Sequence, residues 1–176
     1  MSKTKQIEFL KLYEPVHTNF EKFCRARVYG EMEYSDLMNE TLLIAYSKFD
    51  SIKNKTSLLS YLCGVSIRLL ANNKRKLKPK LGLDSKQIEI EDSNANTDKD
   101  LKVSLLYSAM SFLPERQREC LILFEITGFS IKEIMEIQQA SSSAVKQRLK
   151  RGRAKLVEIL TFESTTKSME VQNGTR

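Results

Sequence analysis

The amino-acid sequence predicts an all-α protein made of two small helical domains joined by a flexible acidic linker. Three observations carry this expectation. Only 6 glycines and 3 prolines interrupt 176 residues. Apolar residues recur at helical spacing over long stretches in both halves of the chain. Between those stretches, residues 84–100 hold six acids and two lysines, and only Ile88, Ile90 and Ala95 are apolar. Such a composition suits a solvated connector rather than a packed element. The expected organisation is a first domain over 1–80, a linker over 81–100, a second domain over 101–160 and a flexible tail over 161–176.

Each element follows from spacing and punctuation. Phe9, Tyr13, Val16, Phe20 and Phe23 recur at steps of four, three, four and three, a helical stripe in which Pro15 opens a new helix at its first turn. Gly30 ends that unit. Ser35 and Asp36 are expected to cap a second helix whose inward residues are Leu37, Thr41, Ile44, Ala45 and Phe49. A polar loop over 50–56 leads to a third helix over 57–77, with Leu58, Tyr61, Leu62, Val65, Leu69 and Leu70 facing inward and Pro79 stopping it. In the second half, Leu101, Leu105, Ala109 and Phe112 are expected to form one buried face. Pro114 begins the next helix and Gly128 closes it with a left-handed cap.

Composition removes several function classes. A formal charge of +7 and a pI near 9.3 favour a polyanionic partner. The sequence holds no apolar run long enough to span a membrane and no hydrophobic signal region, so membrane insertion is not expected and a cytoplasmic location is. Cys24, Cys63 and Cys120 are 39 and 57 residues apart. That spacing fits neither a disulfide framework nor a zinc site, and each is expected to be a small buried thiol. With one histidine (His17), isolated cysteines and no glycine-rich phosphate loop, most catalytic constellations cannot be assembled. No enzyme, cofactor or metal is expected.

The chemistry lies near the end of the chain. Ser130 and Glu133 match a capping box ahead of a short helix with Ile131, Ile134 and Ile137 inside. Ser141, Ser142 and Ser143 then cap a longer helix, expected to end near Leu160 and anchored by Val145, Leu149 and Leu156. A short helix, a tight turn and a long cationic helix are the layout of a helix-turn-helix unit. Residues 140–160 carry six cations and one acid, net +5. Ser142, Ser143, Lys146, Gln147, Lys150 and Arg151 are left facing outward. Gln can pair with adenine, Lys and Arg with guanine, and hydroxyls with phosphates. A second basic stretch, Arg68, Lys74, Arg75, Lys76, Lys78 and Lys80, ends the first domain without an intervening acid.

These residues resemble a known family. Asp36-Leu37-Met38-Asn39-Glu40-Thr41-Leu42-Leu43-Ile44-Ala45-Tyr46 is similar to the Asp-Leu-Val-Gln-Glu-Thr-Phe-Leu-Arg-Ala-Trp signature of bacterial extracytoplasmic-function sigma factors of the sigma-70 superfamily. Leu113-Pro114 with Arg118-Glu119 and Leu121 resembles their Leu-Pro-x-x-x-Arg-Glu-x-Leu block. Gly128 to Ile134 and Val145 to Arg153 resemble their helix-turn-helix. The resemblance spans about residues 8 to 160 in order. It implies a sigma factor that binds core RNA polymerase and directs it to promoter DNA, under the control of an anti-sigma factor.

The same resemblance implies roles. Asp36, Asn39 and Glu40 would dock on the polymerase clamp. The loop over 50–56, with Tyr61, Asn72, Lys74, Arg75 and Lys76, would take the minus-10 element. Ser142, Ser143, Lys146, Gln147, Lys150 and Arg151 would read the minus-35 element. Tyr61 stands where the family has Trp, Leu58 where it has Phe, Arg68 and Asn72 where it has Asn and Asp, Ile44 where it has Arg, and Asn39 where it has Gln. Two other readings fit parts of the pattern. One is a free-standing helix-turn-helix regulator with a GerE-like output domain, for which the Asp36–Tyr46 block has no use. The other is a sigma-like interaction module that titrates an anti-sigma factor.

Overall fold

In a computed structural model, which describes residues 3–77 and 98–173, the chain forms eight α-helices and no strand among the described residues. They are α1 (Lys3–Tyr13), α2 (His17–Val28), α3 (Tyr34–Ser47), α4 (Leu58–Leu77), α5 (Asp98–Ser111), α6 (Glu115–Leu121), α7 (Ile131–Gln138) and α8 (Ser142–Asn173). Short 3-10 turns at Glu14–Val16, Phe49–Ser51 and Lys55–Ser57 join the early helices.

The first four helices bury an aromatic core. Phe20, Phe23 and Phe49 are wholly buried, and Phe9 meets Tyr46 and Phe49 edge-on at ring distances of 5.4 and 5.3 Å. Pro15 sits in the turn that starts α2, and Gly30 closes the unit at φ 68. Thr41 of α3 and Ser66 of α4 satisfy each other across this core at 2.9 Å. The helix α3 starts one residue before the expected cap. Glu33 occupies the cap without a side-chain bond, and Asp36 instead lies in the first turn, where the helix dipole favours an acid.

The second half packs α6 against α8 around Leu121, Ile122, Leu123, Ile134, Val145 and Leu149, all buried. Gly152 permits that crossing: a Cβ there would sit 3.0 Å from Leu121 Cδ1. Pro114 caps α6 rather than entering it. The helix expected to run on to Gly128 instead widens into a π turn at Ile122–Ile126. Gly128 follows at φ 75, the left-handed conformation expected of it.

Three expectations need correction. In α5, Leu101, Leu105 and Phe112 face solvent, while Ser104, Ser108, Ala109, Met110 and Ser111 turn inward. The reason is tertiary: α5 lies against α2 and α8, and small serines permit the close approach, with Tyr29 Oη and Ser104 Oγ 2.6 Å apart. Helix α8 continues past Leu160 to Asn173, since no glycine or proline falls between Leu160 and Gly174. Helix α5 begins at Asp98, three residues inside the expected linker. The rest of that linker, Pro79, and the cations Lys78 and Lys80 lie outside the described residues.

The three cysteines are free and buried. Burial pushes the Cys24 thiol up to about 12, Cys120 up to about 11 and Cys63 well above the usual thiol value. His17 is exposed, sharing a 2.8 Å hydrogen bond with Tyr13 Oη. Among the described residues no helix is long and apolar enough to cross a membrane, and no His, Cys, Asp and Glu cluster could hold a metal ion.

Candidate nucleic-acid interface

The helix-turn-helix is built from local rules. Ser130 caps α7 by accepting from the Glu133 backbone N–H at 3.3 Å, and its own N–H donates to Glu133 Oε2 at 2.9 Å, which completes the capping box. The Ser130 hydroxyl, then its backbone N–H, hold the Glu133 carboxyl below its ordinary range. Gln139 takes the left-handed conformation (φ 48, ψ 54) that ends α7. No glycine marks this position in the sequence. Ser141 then caps α8 by accepting from Ala144 N–H at 3.3 Å. Ile134, Val145 and Leu149 are buried, and Ile131, Ile137 and Leu156 are half-buried, as the expected inner seam requires.

The outer face of α8 is open. Ser143, Lys146, Gln147, Lys150 and Arg151 are exposed and Ser142 is half-buried. Arg148 points the other way, donating to Gln138 Oε1 at 2.8 Å, and so pins α8 to α7. The Gln138 amide donates in turn to Arg116 O and Glu119 Oε2 at 3.3 and 3.4 Å. Gln138 is almost wholly buried, a positioning residue that the pattern reading passed over. Its signal was a polar side chain four residues beyond Ile134, on the inner face.

The two other predicted groups lie on α3 and α4. Asp36, Asn39 and Glu40 are all exposed on α3. Leu43, one turn further on, is 72% exposed beside them. An isolated apolar side chain among those polar groups makes it a fourth candidate on this surface.

On α4, Tyr61, Arg68, Asn72 and Arg75 lie within about 60° of one another around the helix and span about 21 Å along it. Tyr61 is half-buried and packs against the core, whereas Arg68, Asn72 and Arg75 are exposed. Arg75 donates to the Asn72 side-chain oxygen. Lys76 belongs to α4, but its side chain lies outside the described residues. Lys74 turns aside from this stripe, donating to Glu115 Oε1 at 3.0 Å and lying 3.8 Å from Glu31 Oε2.

The pattern reading also missed Arg27. This arginine is wholly buried on α2, 2.5 Å from Glu115 Oε1 and 3.2 Å from Glu119 Oε1. Its signal was present, because Phe20, Phe23, Cys24 and Arg27 continue the inward helical spacing through a charged residue. Arg118, also buried, donates from α6 to Glu31 Oε1 at 2.8 Å and to Ala26 O at 3.2 Å.

Comparison with known proteins agrees with this arrangement. The family described as Sigma-70, region 4 matches residues 104–156, from within α5 to the middle of α8. An ECF RNA polymerase sigma factor EcfG from Rhodopseudomonas palustris (strain TIE-1) is 30% identical over 135 residues, 71% of this chain and 70% of that protein. The RNA polymerase sigma factor SigV of Bacillus subtilis (strain 168) is 26% identical over 139 residues, 76% of this chain and 80% of that protein. The sigma factor RpoE from Bartonella quintana, solved with the anti-sigma factor NepR, shares the fold with a TM-score of 0.67 at 22% identity, over 91% of this chain and 98% of that one. CnrH, solved with the cytosolic domain of CnrY, does so with a TM-score of 0.65 at 21% identity, over 89% of each chain. Taken with the capped helix-turn-helix and the ordered sequence blocks, this places the chain in the family of ECF RNA polymerase sigma factors.

Proposed function

We propose that this sigma factor joins core RNA polymerase in the cytoplasm and selects promoters by two DNA contacts, performing no covalent chemistry itself. The carrying observation is the outer face of α8. A capped α7 and a tight left-handed turn present exposed Ser143, Lys146, Gln147, Lys150 and Arg151 along one helix, with Ser142 at its edge. These side chains would enter the major groove of the minus-35 element.

Residues 1–80 would serve as the polymerase-binding and minus-10-binding unit, residues 101–160 as the minus-35 unit, and residues 81–100 as the connector. Asp36, Asn39 and Glu40, with Leu43, would dock on the polymerase. The loop over 50–56, Tyr61, Asn72, Lys74, Arg75 and Lys76 would take the minus-10 strand, the tyrosine by packing or stacking and the cations by holding phosphates. An anti-sigma factor is the regulatory partner that this assignment implies.

The test combines purified protein with core polymerase and follows strand opening on genomic fragments, with each component alone as control. Opening that needs both is the expected result and would deliver the promoter sequence. Duplex binding by the protein alone, unaffected by polymerase, would make it an ordinary regulator and remove the roles given to α3 and α4.

A further inference from the structure

We propose that α1 is a strap that fixes the shape of the loop over 50–56, with Lys5 and Glu8 as positioning residues for the discrimination of minus-10 bases. The proposal rests on the minus-10 role given to that loop above. Two ion pairs tie the helix across it. Lys5 Nζ donates to Asp50 Oδ2 at 2.7 Å, and Lys55 Nζ donates to Glu8 Oε1 at 2.8 Å. The pairs join residues 45 and 47 positions apart. They grip Asp50 and Lys55, the two ends of one short segment.

The register of the strap is set by the core. Phe9 is buried, and its ring meets Tyr46 and Phe49 edge-on. Lys5, Glu8 and Phe9 lie within about 100° of one another around α1, so seating Phe9 brings both charges over the loop. Each ammonium group also rests on one of the same two rings. Lys5 Nζ lies 5.1 Å from the Tyr46 centroid, and Lys55 Nζ lies 4.3 Å from that of Phe49.

Between the grips, Lys53 and Asn54 are exposed. Local bonds shape the turn from within: Ser51 Oγ donates to Lys48 O, Asn54 Nδ2 to Ser57 Oγ and Thr56 Oγ1 to Asn54 Oδ1. Each of these reaches three residues or fewer along the chain, whereas the α1 pairs anchor the segment to a distant helix. The Asp50 side chain is 74% exposed and that of Glu8 49%, and ion pairs so open to water add little to folding stability. Their consequence is geometric, because a site that captures a base depends on a closely held constellation. It is also electrostatic. Asp50 is the one acid in the loop, and Lys5 neutralises the charge that would repel a phosphate backbone.

The test uses holoenzyme assembled from the full chain and core polymerase. Its probes are a fluorescent single strand carrying the minus-10 sequence of a promoter that the wild-type protein opens, and the same strand with those bases replaced. The ratio of the two affinities measures discrimination. Lys5→Gln lowers the charge of the protein and Glu8→Gln raises it, so a plain charge effect would move affinity in opposite directions. Loss of the strap should instead lower discrimination by about fivefold in both variants. Lys5→Arg should match wild type, and the urea midpoint of all three should be unchanged. Lys53→Ala with Asn54→Ala reports on the loop itself and should lose discrimination outright. If that loop variant loses it while the α1 variants keep it, the strap is refuted and the role of the loop stands, whether or not affinities shift with charge. A loss accompanied by a lowered urea midpoint would make Lys5 and Glu8 ordinary stabilising residues and overturn the strap as well. Discrimination retained in the loop variant would refute the minus-10 role of the loop, and the strap with it.

Discussion

The two cationic helices of this chain are alike in sequence and opposite in circumstance. Helix α8 carries Lys146, Lys150 and Arg151 on an exposed face, and no ion pair engages them among the described residues. Helix α4 carries Lys74 and Arg75, of which the first is tied to Glu115 and Glu31 from two directions. The difference arises from what lies opposite each helix. The inner seam of α8 is filled by α6 and α7, which leaves its outer face to water. Helix α4 packs against α2, α3 and α7 and contributes buried Leu62, Cys63, Val65, Ser66, Ile67 and Leu70, so less of its circumference is left open. A charge run therefore describes a binding surface only once its neighbours are known.

The largest expected effect sharpens the open side of this contrast. Replacing Lys146, Lys150 and Arg151 together with Gln should weaken duplex promoter binding and reduce the log-log salt slope by up to about three units. An unchanged slope would mean that the duplex is held elsewhere. The next tests how firmly α8 is fixed. Gly152→Val would drive a branched side chain into Leu121, already 3.0 Å from a bare Cβ. Urea unfolding should show a loss of about 1–3 kcal/mol, and a neutral result would show a looser α6–α8 crossing.

The smallest effect concerns the held side. Burial alone would raise the Glu115 carboxyl, but the Lys74 hydrogen bond and the charges of Lys74 and Arg27 outweigh it and hold the group below its ordinary 4.5. A depressed carboxyl contributes stability above its unfolded-state value and loses it as pH falls through the lower folded value. Scattering between neutral and strongly acid pH should therefore show the halves loosening only below pH 4.5. Glu115→Gln should already be loosened at neutral pH and should lack this part of the transition. A wild-type protein that loosened well above that value would point to a different titrating group.

Much of the molecule was legible in one dimension because it obeys local rules. The glycines at 30 and 128, the capping box of Ser130 and Glu133, and the Val145–Leu149 seam each depend on residues within a few positions of one another. The exposed outer face of α8 follows from that seam by the geometry of a helix. What went astray was decided at a distance. Leu101, Leu105 and Phe112 point outward because α2 lies close enough to favour serines on the facing side of α5.

The sequence by itself determined the helical class, the capped helix pair α7–α8, the buried thiols and the family, because periodicity, caps and ordered motifs are properties of neighbours along the chain. Only the tertiary structure decided that Arg27 and Arg118 would be buried, that Glu115 would be shared between Arg27 and Lys74, and that Lys74 of α4 would be paired while the α8 cations stay open. Those outcomes join residues 41 to 92 positions apart, and Coulomb pairing between groups so far separated in sequence leaves no period to read.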